Sequence, residues 1–400
     1  MPLHGGRVPA WLYQRMERLS GAIVEVLVEE FGVQGLLGRI SDPFWFQSFG
    51  AVLGMDWHSS GITTSVMGAL KRSINKRSEH LGLYVCGGRG KHSLKTPEEL
   101  LSVSERFGTD GQALVRTSKL SAKVDNTAIQ DGFQLYLHSF LISRNGAWAV
   151  VQQGMNTQSR MARRYHWLSS EVKSFIEEPH TSVYGKNIGA FLNLTSRDAG
   201  QTRKSILEIS SQSPAHMIPE IQKLIMPRHH EVRSSDIDLK RLGTLIGLAY
   251  DRGISSFESL LLLRGLGPKT IRSLALVSEI IFGTPVRFSD PARFSFAHGG
   301  KDGTPFPVQT SVYDETIDLL QKTVTRARIE HSDKKKALHK LHLIACELEK
   351  KFIPKDRLLE FMEKERAESS MFGGRTAGDS KKNTQAHKST SAQLRIPFGD

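Results

Sequence analysis

Cysteine is nearly missing from this 400-residue chain: Cys86 and Cys346 stand far apart and form no C-x-x-C pair. That excludes a disulfide framework and a cysteine-rich zinc site, and it suits a reducing compartment. The opening "MPLHGGRVPAW" has no basic stretch followed by an apolar one, so no signal peptide is expected. No apolar run approaches the length of a bilayer, and a cytoplasmic protein is expected. Several reaction signatures are missing too: no G-x-S-x-G elbow, no H-E-x-x-H, no G-x-x-x-x-G-K-[ST] loop and no dinucleotide fingerprint. Nothing here signals serine-hydrolase, zincin, P-loop or dinucleotide chemistry.

Acidic residues are also in short supply. Asp and Glu number 41 against 54 Lys and Arg, a net charge of +13. Such an excess favours a polyanionic partner, with nucleic acid first among the choices. Otherwise the composition is ordinary: 39% hydrophobic and 24% charged residues are enough for a substantial core.

The length predicts two or three domains. Residues 1–210 read as an α/β domain and a possible catalytic region. Residues 211–235 read as a linker, 236–355 as an all-α domain, and 356–400 as a largely disordered basic tail. Apolar spacing predicts helices over 13–32 and 62–79. Thr96-Pro97-Glu98-Glu99 predicts a helix start with Thr96 as N-cap. The clearest strand signal is "FQLYLHSFLISRNGAWAVVQQG", with Asn145-Gly146 as its turn. A two-residue turn would set Leu141 against Val150, Ser139 against Gln152 and His138 against Gln153. The segment after it, "RMARRYHWLSSEVKSFIEE", is predicted to be helical.

One short stretch points to the partner. In "SLLLLRGLGPKTIRSLALVSEII" two helical runs are joined by Gly265-Leu266-Gly267. Glycines permit a turn too tight for a Cβ, and Pro268 suits a first helical position. The amides of such a turn, beside Lys269, Thr270 and Arg272, form a site for a phosphate. The stretch looks like a helix-hairpin-helix motif, which holds the DNA backbone without reading bases. An ordinary αα-corner is the plainer alternative. Three glycine-basic runs are further phosphate candidates: His4 to Arg7, Arg89 and Lys91 in "GGRGK", and His298 to Lys301. The cations Arg163 and Arg164, interleaved with aromatics in "RMARRYHW", are others. Each also reads as a surface turn or a solvated face.

Phosphodiester cleavage at a divalent ion needs clustered carboxylates. Asp125 and Asp131, which precede the hairpin, and Asp56 with His58 in "MDWHSS" are the candidate ligands of a Mg²⁺ or Mn²⁺ ion. His138 and Gln152 are candidate catalytic partners of Asp125 and Asp131. Two nuclease templates fail at an essential position. A ribonuclease-H-like site wants a Glu after the hairpin, where Arg stands, and a restriction-endonuclase-like site wants an acid-x-Lys, where Gln152-Gln153-Gly154 stands. Structural caps and half-buried polar residues are the alternative.

The runs "LHGGRVPAWL", "SDPFWFQ", "SAKVDNTAIQDGFQLYLH", "WAVVQQGMN", "ARRYHW", "HHEVRSSDIDLKRL", "LRGLGPKTIRSLALVSE" and "DPARFSFAHGGKDGTPFPV" together resemble the family termed domain of unknown function 763. The likeness extends to about residue 330. It implies an α/β N-terminal region followed by a helical one carrying the helix-hairpin-helix. It implies no activity, substrate or catalytic residue. From the residues themselves, the expected function is DNA binding (DNA ahead of RNA), with metal-dependent nuclease action or a non-catalytic DNA-binding module as the two readings.

Overall fold

The computed structural model describes residues 1–3, 8–55, 60–223, 238–292 and 310–351. His4, Arg7, Asp56, His58, His298, Lys301 and the tail at 356–400 lie outside the described residues. Met1–Ala345 forms one compact unit, and a second begins at Cys346.

The chain opens with four helices: α1 (Ala10–Ser41), α2 (Pro43–Val52), α3 (Gly61–Asn75) and α4 (Ser78–Leu81). The helix expected to end at residue 32 does break there. Gly32 takes φ 67°, ψ 175°, after which the helical path resumes. Asp42 then caps α2, accepting from Trp45 N at 2.6 Å, with Pro43 in the first turn.

Strand β1 (Leu83–Arg89), helices α5 (Lys91–Leu94), α6 (Thr96–Phe107) and α7 (Gly111–Lys123), and a wide turn at Val124–Ala128 come next. In that turn Ile129 N reaches back five residues to Val124 O at 3.0 Å. Strands β2 (Gln134–Ser143), β3 (Trp148–Asn156), β4 (Met161–Leu168) and β5 (Ser182–Tyr184) follow. All pair antiparallel, giving a five-stranded sheet in sequence order. Short strands β6 (Ala190–Phe191) and β7 (Phe288–Ser289) make a separate ribbon. Between them run α8 (Gly200–Ser211), α9 (Pro214–Lys223), α10 (Leu239–Asp251), α11 (Phe257–Leu261) and α12 (Pro268–Phe282). Helices α13 (Thr310–Arg326) and α14 (His331–Lys351) close the described chain.

Successive side chains of a strand point to opposite faces, and here both faces are covered. Val85, Leu141, Ala149 and Val151 pack against Ile23, Phe46, Val66 and their neighbours on α1–α3. Cys86, Phe140, Ile142, Trp148, Val150 and Trp167 face the other way, in one core that continues through α6–α12 to Leu266, Ile271 and Leu274. The fold is thus mixed α/β. Helices α10, α11 and α12 share this core with the sheet. No helix among the described residues is long and apolar enough to cross a membrane.

Three sequence expectations are corrected. The "RMARRYHW" segment is strand β4, not a helix. Because helices cover both sides of the sheet, its side chains are buried on both faces and no hydrophobic alternation marks it as a strand. Thr96 is the first residue of α6 and not its cap; its hydroxyl donates to Ser93 O at 2.7 Å. The β2–β3 loop has three residues, not two. Ser143 N donates to Ala147 O at 2.9 Å, Gly146 N to Ser143 O at 3.0 Å, and Gly146 takes φ 82°. This is the form in which a left-handed residue closes a three-residue hairpin. Pairing therefore shifts by one, placing His138 opposite Gln152, Ser139 opposite Val151 and Leu141 opposite Ala149. A one-residue shift in one strand changes its partner on each face.

Candidate nucleic-acid interface

The expected acids come first. The wide turn after α7 carries Asp125 inward onto the sheet, where it is fully buried. Its Oδ2 accepts from Gln152 Nε2 at 2.5 Å and Trp167 Nε1 at 3.0 Å, and its Oδ1 accepts from His180 Nε2 at 2.5 Å. Gln152 also donates to Ser121 O at 3.2 Å. Its amide nitrogen being committed, its Oε1 faces His138 Nδ1 at 2.9 Å. His138 therefore carries its proton on Nδ1, and its Nε2 accepts from the Ser118 hydroxyl at 2.8 Å. Burial lowers the His138 pKa, with Gln152 and Asp125 opposing; the ring is neutral. Ser118, His138, Gln152, Asp125 and His180 thus form one continuous buried chain of hydrogen bonds.

Asp131 sits in a second network. Its Oδ1 accepts from Phe133 N at 3.0 Å, and its Oδ2 from Arg163 Nη1 at 2.9 Å and the Tyr165 hydroxyl at 2.6 Å. Arg163 bridges to Asp290 as well, with Nη1 to Oδ1 at 3.0 Å and Nη2 to Oδ2 at 2.8 Å. Burial pushes the Asp131 carboxyl up, and Arg163 and Tyr165 offset part of that rise. Burial likewise pushes the Tyr165 hydroxyl well up, with Asp131 adding to it.

On the opposite face of β4, Arg164 donates from Nε to His166 Nε2 at 2.8 Å and from its two Nη atoms to Gln47 Oε1 at 3.1 Å. It is fully buried, and desolvation lowers its pKa to about 10. Desolvation lowers His166 well below the usual range, with Arg164 beside it adding to the effect.

These contacts test the metal expectation. All four oxygens of Asp125 and Asp131 already accept from protein donors. A divalent ion ligated there would have to compete with six protein donors for these two carboxylates. No group of three His, Cys, Asp or Glu side chains among the described residues could hold an ion. Arg163 and Arg164 do not face solvent and cannot meet a phosphate there. Their charges serve the core.

The Gly87–Lys91 run is a strand end and not an open anion nest. Gly87 N donates to Glu99 Oε2 at 2.7 Å and Gly90 N to Tyr136 O at 2.8 Å. A Cβ on Gly87 would lie 2.3 Å from His138 O, which, with φ 79°, explains the glycine. The cations of that run are nevertheless available: Arg89 and Lys91 are exposed.

The turn between α11 and α12 is the remaining candidate. Ser256 caps α11, accepting from Ser259 N at 3.2 Å. Leu266 N donates to Leu263 O at 3.1 Å, and Gly265 takes φ 92°. Leu266 is buried in the core. Three carbonyls of the turn are drawn into the protein: Leu266 O by Lys123 Nζ at 2.5 Å, Pro268 O by Gln130 Nε2 at 2.7 Å and Gly265 O by Arg241 Nη2 at 3.4 Å. Gly267 caps α12 without a side-chain acceptor, and Pro268 follows in its first turn. Arg264, Gly265, Pro268, Lys269 and Arg272 are exposed, whereas Thr270 is buried. Of the six residues expected to touch DNA, Leu266 and Thr270 face inward and build the turn.

A cavity of about 420 Å³ opens beside this turn, between α5, α7 and β2; Leu262 reaches it from the turn and Ser118 and His138 from the buried network. Lys119 and Lys123 line it too. Sequence reasoning passed over these lysines, although their i, i+4 spacing in "SKLSAK" puts them on one helix face. Ser118 gave no signal, because a serine in a helix interior announces nothing.

Fold and site together describe a mixed α/β protein of basic composition built on an antiparallel sheet, with Arg264, Lys269 and Arg272 exposed at a pinned turn. The chain belongs to the family described as protein of unknown function (DUF763), whose model matches residues 1–308. No curated protein and no solved structure matches it.

Proposed function

We propose that this protein binds DNA by its phosphate backbone, with the turn from Arg264 to Arg272 as the grip. The observation that carries the reading is the pinning of that turn. Lys123, Gln130 and Arg241 hold its carbonyls toward the protein, and α12 starts without a side-chain acceptor. A helix start of this kind attracts an anion through its free amides and dipole. Exposed Arg264, Lys269 and Arg272 add charge around it. This corresponds to the helix-hairpin-helix reading, with the difference that the helices are part of the sheet's own core.

Of the two functional readings, binding without metal-dependent cleavage is preferred, since Asp125 and Asp131 are engaged by six protein donors. The test uses end-labelled single-stranded, duplex and forked DNA with Mg²⁺, Mn²⁺ or EDTA, on native and denaturing gels. Expected are complexes in all three conditions, no cutting, and a log–log salt slope shallower by roughly 1 when Arg272 becomes Ala. Retention of the full slope in Arg272→Ala and Lys269→Ala would remove the turn from the reading. Metal-dependent cutting that disappears in a folded Asp125→Asn variant would restore the nuclease.

A further inference from the structure

We propose that the cavity beside the turn receives one unstacked nucleotide of the DNA strand that the turn holds, base inward. The inference rests on the DNA-binding reading and adds a ligand class to it.

Size is the first consideration. About 420 Å³ lies within the range of small-ligand sites and has room for a base with its sugar. Chemistry is the second. The lining includes Leu94, Pro97, Ala122, Tyr136 and Leu137, apolar surroundings of the kind an extruded base needs. Tyr136 is held in place by its hydroxyl, which accepts from Gln153 Nε2 at 2.6 Å.

Beside the two lysines, the polar lining is uncharged: Ser93, Ser118, Asn126, Gln134 and His138. The Ser118 hydroxyl spends its proton on His138 at 2.8 Å, so it offers lone pairs to the cavity. Asn126 accepts from Leu135 N through Oδ1 at 3.3 Å, which leaves its NH₂ as a donor at the wall. One acceptor and one donor suit the edge of a base.

Placement is the third consideration. Two cations line the cavity and a third lies near one of its walls. Lys119 and Lys123 stand on α7, and Arg89, at the end of β1, lies with its guanidinium carbon 6.0 Å from the Tyr136 ring centre. On the other side Leu262 joins the cavity to the turn. Phosphates on both sides of an inserted base would therefore meet positive charge. Leu94, 81% exposed, stands at the lip. Apolar side chains so placed act as wedges between bases.

The experiment compares three 12-nucleotide probes in competition binding: an ordinary single strand, the same strand with every base replaced by an abasic analogue, and a blunt duplex. The two single strands carry the same phosphates, so their affinity ratio reports base contact alone. The unaltered protein is expected to prefer the strand with bases by about tenfold, the scale of one stacked base. Leu94→Ser and Ala122→Trp should bring that ratio to about 1 and leave duplex affinity unchanged. Leu94 is exposed enough that its variant keeps the fold, and a melting curve checks Ala122→Trp. Lys269→Glu should weaken all three probes alike and keep the ratio. A ratio of 1 in the unaltered protein, or its survival in both cavity variants, overturns the nucleotide site while the turn stands. Unchanged duplex affinity in Lys269→Glu overturns the turn reading instead.

Discussion

Two basic clusters in this molecule have opposite fates. Arg163 and Arg164 on β4 are fully buried and donate to Asp131, Asp290, Gln47 and His166, among others. Lys269 and Arg272, on a sequence no more basic, stand in solvent. In the first cluster charge organises the interior, where a guanidinium fork spans two carboxylates at once. In the second it is free to meet a partner. Net charge counts both alike, and so a basic sequence overstates the basic surface.

Breaking the interior cluster should have the largest effect. Arg163→Ala leaves Asp131 and Asp290 buried without their cation and should cost about 3–5 kcal/mol in urea unfolding. Arg163→Lys should recover part of this, because a single ammonium cannot span both acids. A loss under 1 kcal/mol for the alanine variant would show that the cluster is not a stabilising unit.

Next in size is a pH effect confined to the interior. His138 and His166 have folded-state pKa values below their ordinary 6.5. Above that value their contribution is fully present. As pH falls below it, the unfolded chain takes up protons that the folded one refuses, and stability drops by up to about 1.4 kcal/mol per group for each pH unit. Melting curves from pH 7.5 to 5 should show the decline, and His138→Gln should make it shallower, with His166 supplying the rest. A flat profile in the unaltered protein would contradict the neutral, buried assignment.

The smallest stability effect belongs to the exposed cluster. Lys269→Glu should change unfolding free energy by no more than about 0.5 kcal/mol, while DNA affinity falls severalfold in a filter-binding titration. A large destabilisation would mean that Lys269 belongs to the core after all.

Helices were the legible part of this sequence. The break at Gly32 and the start of α12 at Pro268 fall where local residue chemistry places them. β4 was not legible, since both of its faces are buried and its arginines suggested solvent. At the site, the turn at Gly265 could be read because glycine, proline and cations sit within eight residues. Asp125 and Asp131 stood out as acids, but their saturation depends on Trp167, His180, Arg163 and Tyr165, all distant in sequence. The cavity was invisible for the same reason: its walls come from four separate segments.

The three-residue turn at Arg144–Gly146 reaches further than its size suggests. Gln152 and Gln153 are chemically identical neighbours, and what decides which of them touches His138 is the residue count of a loop roughly 17 Å away. The hairpin works as a vernier: one notch at its tip swaps the glutamine at its base. When chains of this family are compared, the alignment should therefore be anchored on that loop. A single gap misplaced there would exchange a network residue for its neighbour, and a true deletion would rewire the polar chain without altering any residue in it.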